Sequence, residues 1–260
     1  MRISIQTCLR YATTQPCTIL LQIEALSDAL QSCSMNRLTL DAASVQHELD
    51  GEEGLGTRRW ITAGPLFECR YEAVVDVSRV DADLARLDQT PWMQIPSDVV
   101  KYLMPSRYCH PELFLDFVAG QFGTLTGGVL IAAMRDWIHD TFIYDSAATF
   151  AGTTATDSFA SQSGVCRDYA HVLITFARAA GIPARFVSVY APDVMPKDFH
   201  AVAEVYLDGG WHIVDATGMA RASEIVRICM GRDAADASFM TSYGWMNLIA
   251  QSVTVTRITV

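Results

Sequence analysis

The sequence predicts an α+β protein in which a central helix packs on an antiparallel sheet, preceded by a small β-sandwich-like domain. Three observations predict it. Short runs of alternating apolar and polar residues fill the first part of the chain, helical periods take over in the middle, and alternation returns in the last third.

The early runs are "RISIQ", "CTILLQIEAL", "RRWITAG" and "FECRYEAVVDVSRV", with turn-formers such as Asp50-Gly51 and Gly64-Pro65 between them. Alternation at this spacing reads as antiparallel strands pairing sheet on sheet. Two prolines and several acids in "VDADLARLDQTPWMQIPSDV" then break the pattern. The boundary is placed there, giving a β-domain over 1–85 and a second domain over 86–260. "SDVVKYLM" is expected to form a helix capped by its serine, and "PELFLDFVAGQF" another begun by Pro111. "TGGVLIAAMRDWIHDTFIY" reads as a longer helix, with Val129, Ala132, Ala133, Trp137 and Phe142 roughly in helical phase. The Ser/Thr/Ala/Gly-rich stretch over 145–164 is expected to be surface loop beside the site. The tail "SVTVTRITV" is expected to be a final strand.

Composition narrows the function. Half of the 260 residues are apolar, 18% are charged, and the net charge is −10. Lys and Arg are scattered, which argues against nucleic acid as a partner. The N-terminus lacks a signal-like apolar core and the run "VLIAAM" falls far short of a span, so neither a targeting signal nor a membrane is expected; the protein is expected to be cytoplasmic. Seven cysteines at wide, irregular gaps do not form a disulfide framework, and there is neither a CxxC pair nor a His-x3-His pair. No metal and no cofactor are expected. Most of the thiols should be buried and inert.

One cysteine differs. "SGVCRDYAHV" opens a helix with Cys166, Ala170, Leu173 and Ala177 on one face, closed by Gly181 and Pro183. With Ser163 or Gly164 as N-cap, Cys166 falls in the first turn, where unpaired backbone N–H groups and the helix dipole favour a thiolate and can donate to an oxyanion. A cysteine on an apolar helix face is usually a packing residue, so Cys166 alone decides nothing. Downstream, "FHAVAEVYLDGGWHIVDATG" reads as a hairpin. A two-residue turn at Asp208-Gly209 would set Asp215 opposite Val202 and diagonal to His200, within reach of its ring; a three-residue turn would flip it away unless a bulge restored parity. In such an arrangement His200 would exchange a proton with Cys166, and Asp215 would orient the imidazole.

"GVCRDYAHVLITFARAAGIPARFVSVY" followed by "DFHAVAEVYLDGGWHIVDAT" resembles the transglutaminase-like superfamily of papain-fold cysteine enzymes. More narrowly, the chain is similar to its bacterial transglutaminase-like cysteine peptidases with an N-terminal β-domain, including their flanking segments at "YLMPSRYC" and "GRDAADASFMTSYG". The resemblance implies a Cys166–His200–Asp215 triad on the central helix and two adjoining strands, with a papain/transglutaminase-like core. The family often has an aromatic at Val202 and "DPT" where this chain has "DAT". Calcium-binding segments of animal transglutaminases are not recognisable.

Gln162 is a candidate oxyanion donor and Trp211 a candidate cleft wall. Cys109-His110 is adjacent in sequence and points apart, while His139, His171 and His212 read as structural or surface groups. The expectation is a thiol-dependent enzyme acting on the amide bonds of a protein, peptide or small-amide substrate through a thioester acyl-enzyme, in the manner of a cysteine peptidase or amidase. The alternatives are a transglutaminase-type acyl transferase, a module that binds peptides in the same cleft without cleaving them, and a thiol redox sensor.

Overall fold

Alternation in the N-terminal third becomes strand. The structure, a computed structural model, describes residues 1–41 and 46–258. β1 (Arg2–Ala12), β2 (Cys17–Leu21), β3 (Gln31–Asp41), β4 (Gln46–Asp50), β5 (Thr57–Ala63) and β6 (Leu66–Val77) come first. In β6 every second residue, from Phe67 through Cys69, Tyr71, Ala73 and Val75 to Val77, is buried, while the residues between them are exposed or half-buried. That is the period-two pattern of a sheet with one face in a core. β3 and β4 carry no such pattern. Both lie at sheet edges and are largely exposed, so their polar sequences gave no apolar alternation to read.

The middle of the chain supplies α1 (Leu115–Phe122), α2 (Gly127–Thr141), β7 (Ile143–Tyr144), α3 (Ala155–Ser161), β8 (Ser163–Gly164) and α4 (Cys166–Ala179). Two expectations are corrected here. "SDVVKYLM" makes only a single 3-10 turn, Val100–Leu103, because Pro96 and Pro105 bracket it and Met104 is extended ahead of the proline. The stretch over 145–164 is not all loop: Thr154 and Asp157 cap α3 reciprocally, the Asp157 carboxylate accepting from the Thr154 N–H at 2.9 Å.

The last third holds β9 (Ala184–Tyr190), β10 (His200–Leu207), β11 (Gly210–Val214), β12 (Val226–Gly231), β13 (Met240–Ser242) and β14 (Asn247–Arg257). The expected tail strand is β14, and its last expected residues, Thr259 and Val260, lie outside the described residues. β11-β10-β9-β12 form an antiparallel sheet, and α4 packs on β10 and β9 with residues 168–178 all buried. The N-terminal strands form two further sheets, β14-β1-β6-β3 and β13-β2-β5-β4. The fold is thus the α+β arrangement expected, a helix-on-sheet core joined to β-layers.

The line drawn between residues 85 and 86 does not separate the sheets. β13 and β14, placed by sequence in the second domain, pair with β2 and β1. Val253 and Val255 of β14 are buried in the same core as Ile3 and Ile5 of β1.

Candidate active site

α4 starts at Cys166 because Val165 enters in extended conformation and serves as N-cap, correcting the expected Ser163 or Gly164. The Asp168 carboxylate turns back to accept from the Val165 N–H at 2.8 Å. Gly164 makes room for that turn. Its φ is +154°, and a Cβ there would lie 2.6 Å from both Cβ and Oδ2 of Asp168. The motif Gly-Val-Cys-Arg-Asp therefore folds as one unit, leaving the half-buried Cys166 at the first helical position.

A tyrosine not singled out in the sequence stands beside it. β7 and β8 pair in parallel with Tyr144 opposite Gly164, held by hydrogen bonds from Ile143 N–H to the Gln162 carbonyl and from Asp145 N–H to the Gly164 carbonyl, each 2.9 Å. This sets Tyr144 beside the start of α4, its ring 6.0 Å from that of Tyr169 and near enough to Cys166 for the thiol to act on its hydroxyl. Burial and the neighbouring Cys166 push the phenol up, so it stays protonated. A two-residue strand is too short to leave a periodic signal in a sequence.

The hairpin takes the two-residue turn. Asp208 and Gly209 both have positive φ (49° and 70°), Leu207 pairs with Gly210, and Ala203 pairs with Val214. Asp215 follows Val214 directly, and its Oδ2 lies 2.9 Å from His200 Nε2. The carboxylate is well anchored: Oδ1 accepts from the Thr217 N–H and hydroxyl at 2.9 and 2.8 Å, and Oδ2 from the Ala220 N–H at 2.9 Å. Burial by itself would raise the Asp215 carboxyl, but the His200 and Thr217 donors hold it below its usual range. For His200, burial opposes the charged ring. The Asp215 hydrogen bond and the Cys166 thiol outweigh it and push the imidazole up to about 10. With Nε2 engaged by Asp215, the buried Nδ1 has no hydrogen-bond partner and is the nitrogen left for Cys166.

Cys166 and His200 open on one cleft of about 380 Å³. Phe150, Phe186, Phe199 and Phe239 give it an apolar wall, with Phe199 stacked on Phe239 at 4.4 Å. Besides Cys166 and His200, Arg167 and Asp198 are its ionisable groups. The two other sequence candidates lie elsewhere. Gln162 caps the C-terminus of α3 in left-handed conformation, with its side chain exposed and its carbonyl committed to β7. Trp211 sits at the turn end of the hairpin, packed 5.2 Å from Tyr102 and from Tyr206, with the Arg185 guanidinium 4.0 Å over its ring. Neither lines the cleft. His171 is fully buried, stacked 5.0 Å from Tyr108, and burial lowers it well below the usual imidazole range, so it is a neutral structural group. Among the described residues no group of three or more His, Cys, Asp or Glu side chains converges to hold a metal ion. No single described helix is long and apolar enough to cross a membrane; α1 and α2 together match a span in length and composition but are bent by 98°.

Known proteins place this geometry in context. The model of the transglutaminase-like superfamily matches residues 124–216, the segment carrying Cys166, His200 and Asp215. Among solved structures, a candidate cysteine protease from Cytophaga hutchinsonii superimposes with a TM-score of 0.93 at 30% identity, over 100% of this chain and 91% of that one. The periplasmic domain of TgpA from Pseudomonas aeruginosa, in two structures, matches at 16% identity and a TM-score of 0.43, over 80% of this chain and 91% or 93% of that one. An uncharacterized protein of Mycobacterium leprae is 28% identical over 117 residues, which span 42% of this chain and 42% of that protein. Because the superfamily model falls on the helix and hairpin that build the cleft, and the Cytophaga relative matches from the β-layers to the last strands, this chain belongs to the transglutaminase-like superfamily of thiol-dependent enzymes.

Proposed function

We propose that the protein is a cysteine hydrolase that cleaves amide bonds through Cys166, His200 and Asp215. One observation carries this reading: a thiol at the first position of a buried helix shares a cleft with a histidine whose other nitrogen is held by a buried carboxylate. The raised His200 imidazole favours an imidazolium at neutral pH, beside a helix start whose unpaired N–H groups and dipole favour negative charge.

The chemistry follows from that pair. The Cys166 sulfur attacks the carbonyl carbon, and the electron pair moves to the carbonyl oxygen. The Cys166 N–H, unpaired at the first helical position, donates to that oxyanion, with the neighbouring Tyr144 hydroxyl as a second donor. His200 passes its proton to the nitrogen as the C–N bond breaks, releasing the amine and leaving a thioester on Cys166. His200 then takes a proton from water, hydroxide adds to the thioester, and the acid leaves as the thiol is restored. Throughout, Asp215 keeps the ring oriented and stabilises its charge.

The test is selective alkylation. Substoichiometric iodoacetamide at pH 6 should label Cys166 ahead of the other six cysteines, and His200→Ala should abolish that preference. The contrast is sharp because burial raises the thiols of Cys33 and Cys69, and pushes Cys109 up to about 11 and Cys229 up to about 12. Uniform labelling, or none at Cys166, overturns the reading. Product analysis with an added primary amine then separates hydrolysis from transfer: free acid supports the hydrolase, and amide exchange the transferase.

A further inference from the structure

Two residues before His200, Asp198 contributes a carboxylate to the same cleft. Its Oδ1 accepts from the Phe199 N–H at 2.7 Å and from the Gln251 side-chain amide. Among the described residues its Oδ2 makes no hydrogen bond, and it is not among the buried unpartnered atoms, so it is open to solvent in the residue that lines the cleft. Among the described residues Asp198 makes no ion pair. The neighbouring cations are engaged elsewhere: Arg167 donates to the Thr149 hydroxyl at 2.7 Å and the Phe150 carbonyl at 2.8 Å and lies 3.6 Å from Asp168, the Lys197 ammonium donates to the Pro192 carbonyl, and the His200 ring is paired with Asp215.

A half-buried carboxylate without a counter-charge is costly in a free enzyme. Burial pushes the Asp198 carboxyl up, against the donors from Phe199 and Gln251. Its charge also reaches the hydroxyls of Tyr11 and of Tyr144, the latter beside Cys166. The nucleophile, its base and an uncompensated carboxylate thus share one aromatic-walled space.

We propose that Asp198 is the specificity-determining residue of this cleft and receives a primary ammonium group of the substrate, so that the enzyme acts on amides whose acyl part is cationic. This rests on the thiol-hydrolase reading above. An ammonium group supplies the missing charge and donates to Oδ2, while the phenylalanine walls take the apolar part of the acyl group. An anionic acyl group would meet like charge there and be rejected. The support for Asp198 comes in part from the β-layers: Gln251, which holds Oδ1, lies on β14 opposite Leu9 of β1.

The test compares inactivation of Cys166 by iodoacetamide with that by three chloromethyl ketones: glycyl-phenylalanyl with a free α-ammonium, its N-acetyl form, and N-acetyl-lysyl. Wild type should react about tenfold faster with at least one cationic reagent than with the neutral acetylated one. The arm that wins identifies an N-terminal or a side-chain ammonium. Asp198→Asn keeps an acceptor for Phe199 and Gln251 but loses the charge, and should abolish the preference. Normal iodoacetamide labelling with no cationic preference in wild type, or a preference that survives in Asp198→Asn, overturns the proposal and leaves the hydrolase reading standing. Failure of iodoacetamide itself to single out Cys166 in wild type overturns both.

Discussion

Asp215 shows how much a single side chain controls in this site. It takes four hydrogen bonds, one of them from His200, and that bond is the largest of the effects that raise the imidazole against burial, ahead of those of Cys166. Asp215→Asn retains an acceptor but removes the charge, so the imidazole pKa moves down from about 10. NMR titration of the His200 ring should show that fall, and alkylation of Cys166 at pH 6 should slow by about tenfold as the ion pair weakens. An unchanged titration would show that burial and Cys166, rather than Asp215, set the ring's charge. The same shift links to stability. A raised folded-state pKa stabilises fully below the unfolded value of about 6.5, and the contribution is lost as pH rises towards about 10.

At the scale of elements, the start of α4 depends on a residue with no side chain. Gly164 combines φ of +154° with a position already filled by Asp168. Gly164→Ala should cost about 1–3 kcal/mol in urea unfolding and sharply reduce Cys166 alkylation, because the Asp168 cap and the β7–β8 pairing cannot both persist. Retained stability and reactivity would mean that the helix start is not set by this contact. The other end of α4 was readable in sequence: Gly181 has φ of 73°, its N–H bonds the Arg178 carbonyl, and that of Ile182 bonds the Ala177 carbonyl, both at 2.9 Å. The hairpin was readable too, since Asp-Gly favours the turn that fixes the register of Asp215. β3, β4, β7 and β8 were not, being exposed edges or two-residue pairings without a period.

Across the whole molecule, a buried charge network binds the β-layers to the β11-β10-β9-β12 sheet. Glu204 on β10 accepts from Arg185 at 2.7 Å and from Arg227 at 2.9 Å. Arg185 also pairs with Glu53 at 2.9 Å, and Arg227 with Asp28, both from the N-terminal part of the chain. Glu204→Ala would remove the carboxylate that two buried guanidinium groups share, leaving Arg185 only Glu53 and Arg227 only Asp28, and should cost about 1.5–3 kcal/mol in urea unfolding. A loss below about 1 kcal/mol would show that apolar packing alone holds the layers together. β14 closes the molecule in the same sense, completing the β1 sheet and supporting Asp198 through Gln251.

Local chemistry therefore determined much by itself. The first-turn cysteine, the glycine-closed helix, the Asp-Gly hairpin and the alternating inner strands are all set by neighbours a few residues apart, so the sequence alone carried the fold class and the three candidate residues. Tertiary structure decided what depends on distant segments meeting. It put Tyr144 rather than Gln162 beside the thiol, placed Trp211 in a structural cluster, returned the chain's last strands to its first sheet, and left Asp198 lining the cleft without a counter-charge. Those outcomes rest on pairings between residues tens to hundreds of positions apart, which no local period records.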